Sequence, residues 1–227
     1  ISNIVFFVDK TPPIITDISL SWGQVVNINK SQNDGIIYIN ASENISSAQV
    51  TLASDTYSSN SIIDNSASVI IPSSKLQSLT DGSYNILVTV LDFAGNDTSA
   101  NILINVDLTS PIINDVSFSW QNYLNIVEAN SSGAIYINTT GVEDGQIITA
   151  LLDNDNYESS ILNNNATITI PQSKLFSLTD GSYNVFITVS DINGNDTSNN
   201  TSFIVDKTVP NFNNVTYSWG NYLNIND

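Results

Sequence analysis

The groups in this chain that could do chemistry are almost all oxygens. It carries 22 acidic residues against 5 lysines, with no arginine, histidine or cysteine, for a formal net charge of −17 over 227 residues. Without His or Cys there is no Ser-His or Cys-His nucleophile pair, and no ordinary ligand set for zinc, copper or haem. Carboxylate, amide and carbonyl oxygens remain, and these suit the hard cations Ca2+ and Mg2+. Phosphate recognition needs a basic face, so nucleic acid is excluded as a partner and an anionic membrane surface is disfavoured. No apolar run approaches the ~18 residues that a membrane-spanning helix needs. Lys75 and Lys174 hold matching places after Pro72 and Pro171, but neither stands in a Ser-x-x-Lys arrangement. A pair of acids could serve glycoside hydrolysis. A catalytic site is seldom needed in every copy of a repeat, however, and an enzyme is the weakest class.

These acids recur, and the recurrence sets the architecture. Asp9-Lys10-Thr11-Pro12-Pro13 returns as Asp107-Leu108-Thr109-Ser110-Pro111 and as Asp206-Lys207-Thr208-Val209-Pro210, at spacings of 98 and 99 residues. Ser21-Trp22 returns as Ser119-Trp120 and Ser218-Trp219. Ser78 to Asn85 matches Ser177 to Asn184 without a change, and Gly95 to Ser99 matches Gly194 to Ser198. The chain therefore reads as two complete repeats, 9–106 and 107–205. Residues 1–8, with Ile4 to Val8 apolar, are expected to be the last strand of a preceding repeat. Residues 206–227 are expected to hold the first strand of a following one, as in a segment cut from a longer array.

Each repeat reads as all-β. With hydrophobic residues at 41%, there is enough apolar material for a core. Tyr84, Ile86, Val88 and Val90 alternate onto one face, and Tyr183, Val185, Ile187 and Val189 repeat it. Turn signals such as Asn33-Asp34-Gly35 and Ala94-Gly95-Asn96 separate such runs. The expected strands are A at 14–20, B at 35–41, C at 48–53, D at 60–64, E at 67–71, F at 84–91 and G at 99–106. One short helix is expected, Ser73 to Leu79. Seven short strands in about 100 residues is the pattern of an immunoglobulin-like sandwich. Tyr84 and Tyr183 stand where a tyrosine corner would bond back across the E–F bend. The fold class is thus tandem immunoglobulin-like β-sandwiches in an extended array, without a disulfide.

The Asp-x-Thr-x-Pro linker, the Ser-Trp pair, Gly141-Val142-Glu143-Asp144-Gly145-Gln146 and Asp191-Ile192-Asn193-Gly194-Asn195 together resemble bacterial Ig-like tandem repeats. Such repeats occur in giant type I-secreted surface adhesins of the RTX and biofilm type. The resemblance is fullest in repeat 2. Repeat 1 keeps Asp92-Phe93-Ala94-Gly95-Asn96 but has Ser42-Glu43-Asn44-Ile45 in place of the Glu-Asp-Gly loop. The resemblance implies an extracellular, calcium-stiffened stalk.

In that topology the linker, the B–C loop and the F–G loop meet at one end. For repeat 2 this would gather Asp107, Glu143, Asp144 and Asp191, with Asn195 nearby. For repeat 1 the matching set is Asp9, Glu43 and Asp92, with Asn96. Converging carboxylates repel, and a hard dication such as Ca2+ would relieve that repulsion and lock the linker. Asp34 and Asp81, from the far end of the preceding repeat, could add to the group. At the third junction Asp206 would face Glu128 and Asp180 of repeat 2. The alternative stays open, because Asp and Asn before Gly are ordinary turn formers and solvated acids need no metal.

Trp22, Trp120 and Trp219 recur beside an apolar strand and are expected to pack structurally. Tyr57 and Tyr157 are the aromatic candidates for exposure. Asn96, Asn138, Asn165, Asn195 and Asn214 open glycosylation sequons, which such a composition also yields by chance. The leading functional expectation is a surface stalk whose partners are neighbouring repeats of the same chain. Lateral assembly of copies into a layer or fibre is the second expectation. A glycan- or protein-binding module is the third, with the adhesive ligand held elsewhere in a longer protein.

Overall fold

The computed structural model describes residues 8–216 together with Ser218 and Ile225. Each repeat folds as two sheets face to face, one antiparallel and the other antiparallel except for one short parallel edge strand. The first repeat runs β1 (Ile15–Leu20), β2 (Val25–Val26), α1 (Ile28–Ser31), β3 (Gly35–Ala41), β4 (Ile45–Leu52), β5 (Asp55–Ser58), β6 (Ser61–Ile63), β7 (Ser66–Ile71), α2 (Ser73–Ser78), β8 (Gly82–Asp92) and β9 (Asp97–Val106). Its sheets have the orders β1-β3-β7-β6 and β2-β9-β8-β4-β5. The second runs β10 (Ile112–Phe118), β11 (Tyr123–Leu124), a 3-10 turn at Glu128–Asn130, β12 (Gly133–Thr140), β13 (Ile147–Leu152), β14 (Asp155–Ser160), β15 (Asn165–Ile170), α3 (Gln172–Ser177), β16 (Gly181–Ser190) and β17 (Asp196–Val205). Its sheets are β10-β12-β15 and β11-β17-β16-β13-β14.

The alternation read from the sequence is what the sheets bury. Ile37, Ile39, Val69 and Ile71 of one sheet, with Val50, Leu52, Ile86 and Val88 of the other, are all fully buried. They belong to one apolar cluster, and residues 118–205 supply a separate one. Each cluster is closed at one end by a short helix after a proline, through Leu76 and Leu175, both fully buried. Tyr84 Oη donates to the Thr80 carbonyl at 3.1 Å and accepts from the Thr80 N–H at 3.1 Å, which is the expected tyrosine corner. Tyr183 Oη accepts from Thr179 N–H at 3.0 Å.

Trp22 and Trp120 are 6% and 2% exposed, so they serve packing. Gly35 and Gly133 let the indoles lie against backbone: a Cβ built there would stand 2.1 and 2.3 Å from the Cζ3 atoms of Trp22 and Trp120. In repeat 2, Phe118, Trp120 and Phe203 form an aromatic group with ring centroids 5.1 to 5.3 Å apart. Trp219 lies outside the described residues. Tyr57 and Tyr157 are half-buried against the cores, not exposed. Lys75 pairs with Asp55 at 2.6 Å, and Lys174 with Asp153 and Asp155 at 2.9 and 2.8 Å.

The strand plan needs three corrections. The chain leaves the first sheet after β1 and pairs β2 parallel to β9, and β11 pairs likewise with β17. A further strand, β5 or β14, hairpins back on β4 or β13. The short helix after proline is not alone, because α1 and the Glu128–Asn130 turn follow β2 and β11. The strand expected within 1–8 lies almost wholly outside the described residues, and of 206–227, where the first strand of a following repeat is expected, the described residues 206–216 carry no regular secondary structure.

Candidate functional site

The end of repeat 1 that meets repeat 2 is built by the parallel pair β2 and β9. Both strands exit on the same side, and Asp107 N–H, first in the linker, donates to the Val26 carbonyl at 2.9 Å. Asn27 then caps α1, its Oδ1 accepting from Lys30 N–H at 2.9 Å. The cap occupies the oxygen and leaves the amide nitrogen for repeat 2. Asn27 Nδ2 donates to the carbonyls of Asn193 at 2.8 Å and Gly194 at 3.1 Å, in the β16–β17 turn. Ile28 N–H, one of the donors that a helix start leaves without an internal acceptor, meets Asn195 Oδ1 at 2.8 Å. Gly194 has φ +81°, and a Cβ there would lie 3.1 Å from Asn27 Nδ2. Both the turn and the close approach need glycine.

The linker is held from both sides. Asp81, in the bend before β8, accepts from Leu108 N–H at 2.6 Å and Thr109 Oγ1 at 2.5 Å. Asp180 repeats this with Lys207 N–H at 2.8 Å and Thr208 Oγ1 at 2.6 Å. The Leu108 N–H and the Thr109 hydroxyl hold the Asp81 carboxyl below the usual range. The Thr208 hydroxyl and Lys207 N–H do the same for Asp180. From repeat 2, Asn193 Nδ2 donates to Asp107 Oδ2 at 2.6 Å and Asn195 Nδ2 to the Asp107 carbonyl at 3.2 Å.

Of the residues expected to converge in repeat 2, four meet at the β16–β17 turn. Asp191 is buried and accepts from the N–H groups of Asn193 and Asn195, both at 2.9 Å, and from Asn195 Nδ2 at 2.9 Å. Glu143 Oε2 accepts from Ile192 N–H at 2.9 Å. Asp107 and Asn195 complete the group. Asp144 turns elsewhere and accepts from Asn163 N–H at 2.7 Å. Asp34, offered as a contributor to the joint, instead accepts from Ser73 N–H at 2.8 Å, at the start of α2. Glu128 closes its own turn by accepting from Asn125 N–H at 3.1 Å.

Repeat 1 differs. Asp9, Glu43 and Asp92 each place a carboxylate oxygen within 4.8 Å of the others, the only such group of three among the described residues. Asp9 is exposed, Glu43 half-buried and Asp92 buried. Burial pushes the Asp92 carboxyl up, but Asn96, through its amide and N–H, with the N–H groups of Gly95 and Ala94, outweighs that and holds it below the usual range. Asn96 Nδ2 donates to Asp92 Oδ2 at 2.7 Å and reaches towards the carbonyls of Asp9 and Thr11 at 3.4 and 3.5 Å. The position that holds Asn193 in repeat 2 holds Ala94 here. No amide reaches Asp9 from that position, and what remains is a set of hard oxygen donors.

Sequence reasoning missed Asn27 and Asn193, and with them the direct contact between repeats. Asn27 carried one signal, its recurrence as Asn125, and Asn193 carried another, its replacement by Ala94.

No protein-family model matches the chain, and no curated protein sequence does. Among solved structures it is similar to a Ca2+-stabilized adhesin that helps an Antarctic bacterium reach out and bind ice. That likeness has TM-score 0.53 and 19% identity over 86% of this chain and 50% of the other. The chain thus spans half the length of that structure. It is also similar to a structure bearing on host cell surface retention of a 1.5-MDa bacterial ice-binding adhesin, with TM-score 0.50 and 22% identity over 88% of this chain and 67% of that one. These likenesses agree with the Ig-like β-sandwich fold.

Proposed function

We propose that this chain is a spacer segment of an extracellular adhesin at a cell surface, a stalk of Ig-like beads, with units 9–106 and 107–205, whose joints are fixed. The observation that carries the reading is the joint itself. Asn27, Ile28 and Asp81 of repeat 1 bind the linker and the β16–β17 turn of repeat 2 through side chains and backbone at hydrogen-bond distance. A module with mobile beads has no use for such a clamp, whereas a stalk that must hold a distant tip does. A solved neighbour is described as Ca2+-stabilized. The proposal brings that property to Asp9, Glu43 and Asp92, whose three oxygens would take a calcium ion and tie the incoming linker to the β3–β4 and β8–β9 turns. Its partners are adjacent repeats, and ligand binding belongs to another part of a longer protein.

Lateral assembly is the second reading. It rests on Leu87 and its counterpart Phe186, 39% and 44% exposed on the same strand of each repeat. The neighbouring Leu103, 57% exposed, has Ser202 as its counterpart, so this strand pair does not keep the apolar face, whereas Tyr38 and Tyr136 recur exposed on the other sheet.

The test is thermal unfolding of the whole chain after chelation, titrated with Ca2+ and separately with Mg2+. A ligand bound only by the native state stabilises by about 2.7 kcal/mol at a hundredfold excess over Kd. The transition of repeat 1 is expected to rise with Ca2+, much less with Mg2+, and not at all in Asp9→Ala or Glu43→Gln. An unmoved transition in the unaltered chain ends the calcium reading.

A further inference from the structure

The acid groups of repeats 1 and 2 share an Asp from the linker, a Glu and a buried Asp, and they differ at the turn position that in repeat 2 places an amide on the linker Asp. In repeat 1, Asp9, Glu43 and Asp92 bring carboxylate oxygens within 4.8 Å of one another, and the position two residues after Asp92 holds Ala94. In repeat 2, Asn193 stands at that position and its amide nitrogen lies 2.6 Å from Asp107 Oδ2. A calcium ion takes carboxylate oxygens at about 2.3–2.6 Å, so ion and amide compete for the same place beside Asp107. The remaining donors largely recur, since Thr11 N–H meets Asp9 as Thr109 N–H meets Asp107, and Asn96 meets Asp92 as Asn195 meets Asp191; what repeat 2 adds is Asn193 Nδ2 on Asp107 and the Ile192 N–H on Glu143. The same turn presents its carbonyls and Asn195 Oδ1 to Asn27 and Ile28, so what holds the acids also holds the preceding bead.

We propose that the Asn193 side chain is a built-in substitute for a divalent cation, which makes the joint between repeats 1 and 2 rigid without calcium. The array then mixes two kinds of joint, one set by the ion and one set by sequence. Asn or Ala two residues after the buried Asp of the last turn decides which. The contrast rests on the calcium reading of Asp9, Glu43 and Asp92, while the ion-free joint does not.

The chain has no cysteine among its residues, so a pair of spin labels can be placed without background. Ser58→Cys and Ser160→Cys put one exposed label on each repeat, on β5 and β14. In the labelled chain the distance distribution is expected to be narrow and the same in chelator and in millimolar Ca2+. Asn193→Ala, which recreates the repeat 1 arrangement, is expected to broaden it in chelator and to let Ca2+ narrow it again. Broadening of the parent chain in chelator overturns the proposal, and so does an Asn193→Ala chain that stays narrow there. Circular dichroism of Asn193→Ala is expected to show the sandwich intact, since the residue lies in the β16–β17 turn outside the apolar cluster. As a converse, Ala94→Asn is expected to weaken Ca2+ binding at Asp9, Glu43 and Asp92 about tenfold or more, the loss of roughly one good hydrogen-bonded competitor's worth of affinity. If calorimetry finds no calcium bound to the unaltered chain, the stalk's calcium reading fails while the label distances still judge the joint.

Discussion

At the scale of single residues, the joint depends on carboxylates that accept from backbone N–H groups. Asp81 and Asp180 are the cleanest cases, each gripping the next linker through one N–H and one threonine hydroxyl. Hydrogen bonds to the ionised form depress a carboxyl's pKa, and both are held below the usual range. The sign follows from linkage. A group whose folded pKa lies below its unfolded value contributes stability that is whole above the unfolded pKa, near pH 4, and is lost as pH falls through the folded value. The Leu108 and Lys207 amide protons are therefore expected to keep their native NMR shifts down to about pH 4 and to move only below it. In Asp81→Asn the Leu108 shift should no longer titrate. A Leu108 shift that moves between pH 5 and 7 would show that Asp81 does not hold the linker. These acids stood in the sequence as turn formers beside Gly, and their repetition with the linker motif was visible. What was not visible was direction. Nothing in the order of residues says that Asp81 holds the next linker at Thr109 while Asp34 bonds Ser73 N–H within its own repeat.

At the scale of elements, long alternating strands were legible because burial on one face leaves a period of two. The strands β3, β7 and β8 fell close to where alternation put them. The missed elements have no period to read. β2 and β11 are two residues long, and they exist because Val26 and Leu124 fill the core beside the last strand. β5 was hidden by its turn. A two-residue hairpin of this kind needs positive φ at both central positions, for which Asn-Gly or Asp-Gly is the usual sign. Repeat 1 instead has Ala53 and Ser54, at φ 48° and 72°, where repeat 2 has Asp153 and Asn154 at 48° and 67°. Ala in the left-handed region is strained, at a cost of about 1 kcal/mol. The pair Ala53→Asn with Ser54→Gly is thus expected to stabilise repeat 1 by about 1 kcal/mol, read as a raised denaturant midpoint with unchanged slope. A lowered midpoint would mean that the Ala53 methyl or Ser54 hydroxyl does something at the turn that its dihedrals do not reveal.

At the scale of the whole molecule, two forces could hold the beads apart. One is repulsion, since a formal charge of −17 lies on 227 residues. The other is the direct clamp between repeats. They respond differently to salt and to one substitution. Repulsion between exposed charges is screened beyond about 3 Å at 1 M salt, whereas short hydrogen bonds at a largely buried Asn27 are screened much less. If repulsion governs, high salt should shrink the scattering radius of the unaltered chain. If the clamp governs, salt should leave that radius alone and the clamp's removal should reduce it. Asn27→Ser isolates the clamp, because serine still caps α1 as well as asparagine does but is too short to reach the Asn193 and Gly194 carbonyls. The expected result for Asn27→Ser is two sandwiches unfolding at nearly unchanged temperatures and a radius that falls as bent arrangements are populated. Contraction of the unaltered chain in 1 M NaCl, with no further change in Asn27→Ser, would assign the extension to charge. The clamp predicts the opposite order, because Asn27 ties an element of one bead to the turn of the next across 166 residues of sequence.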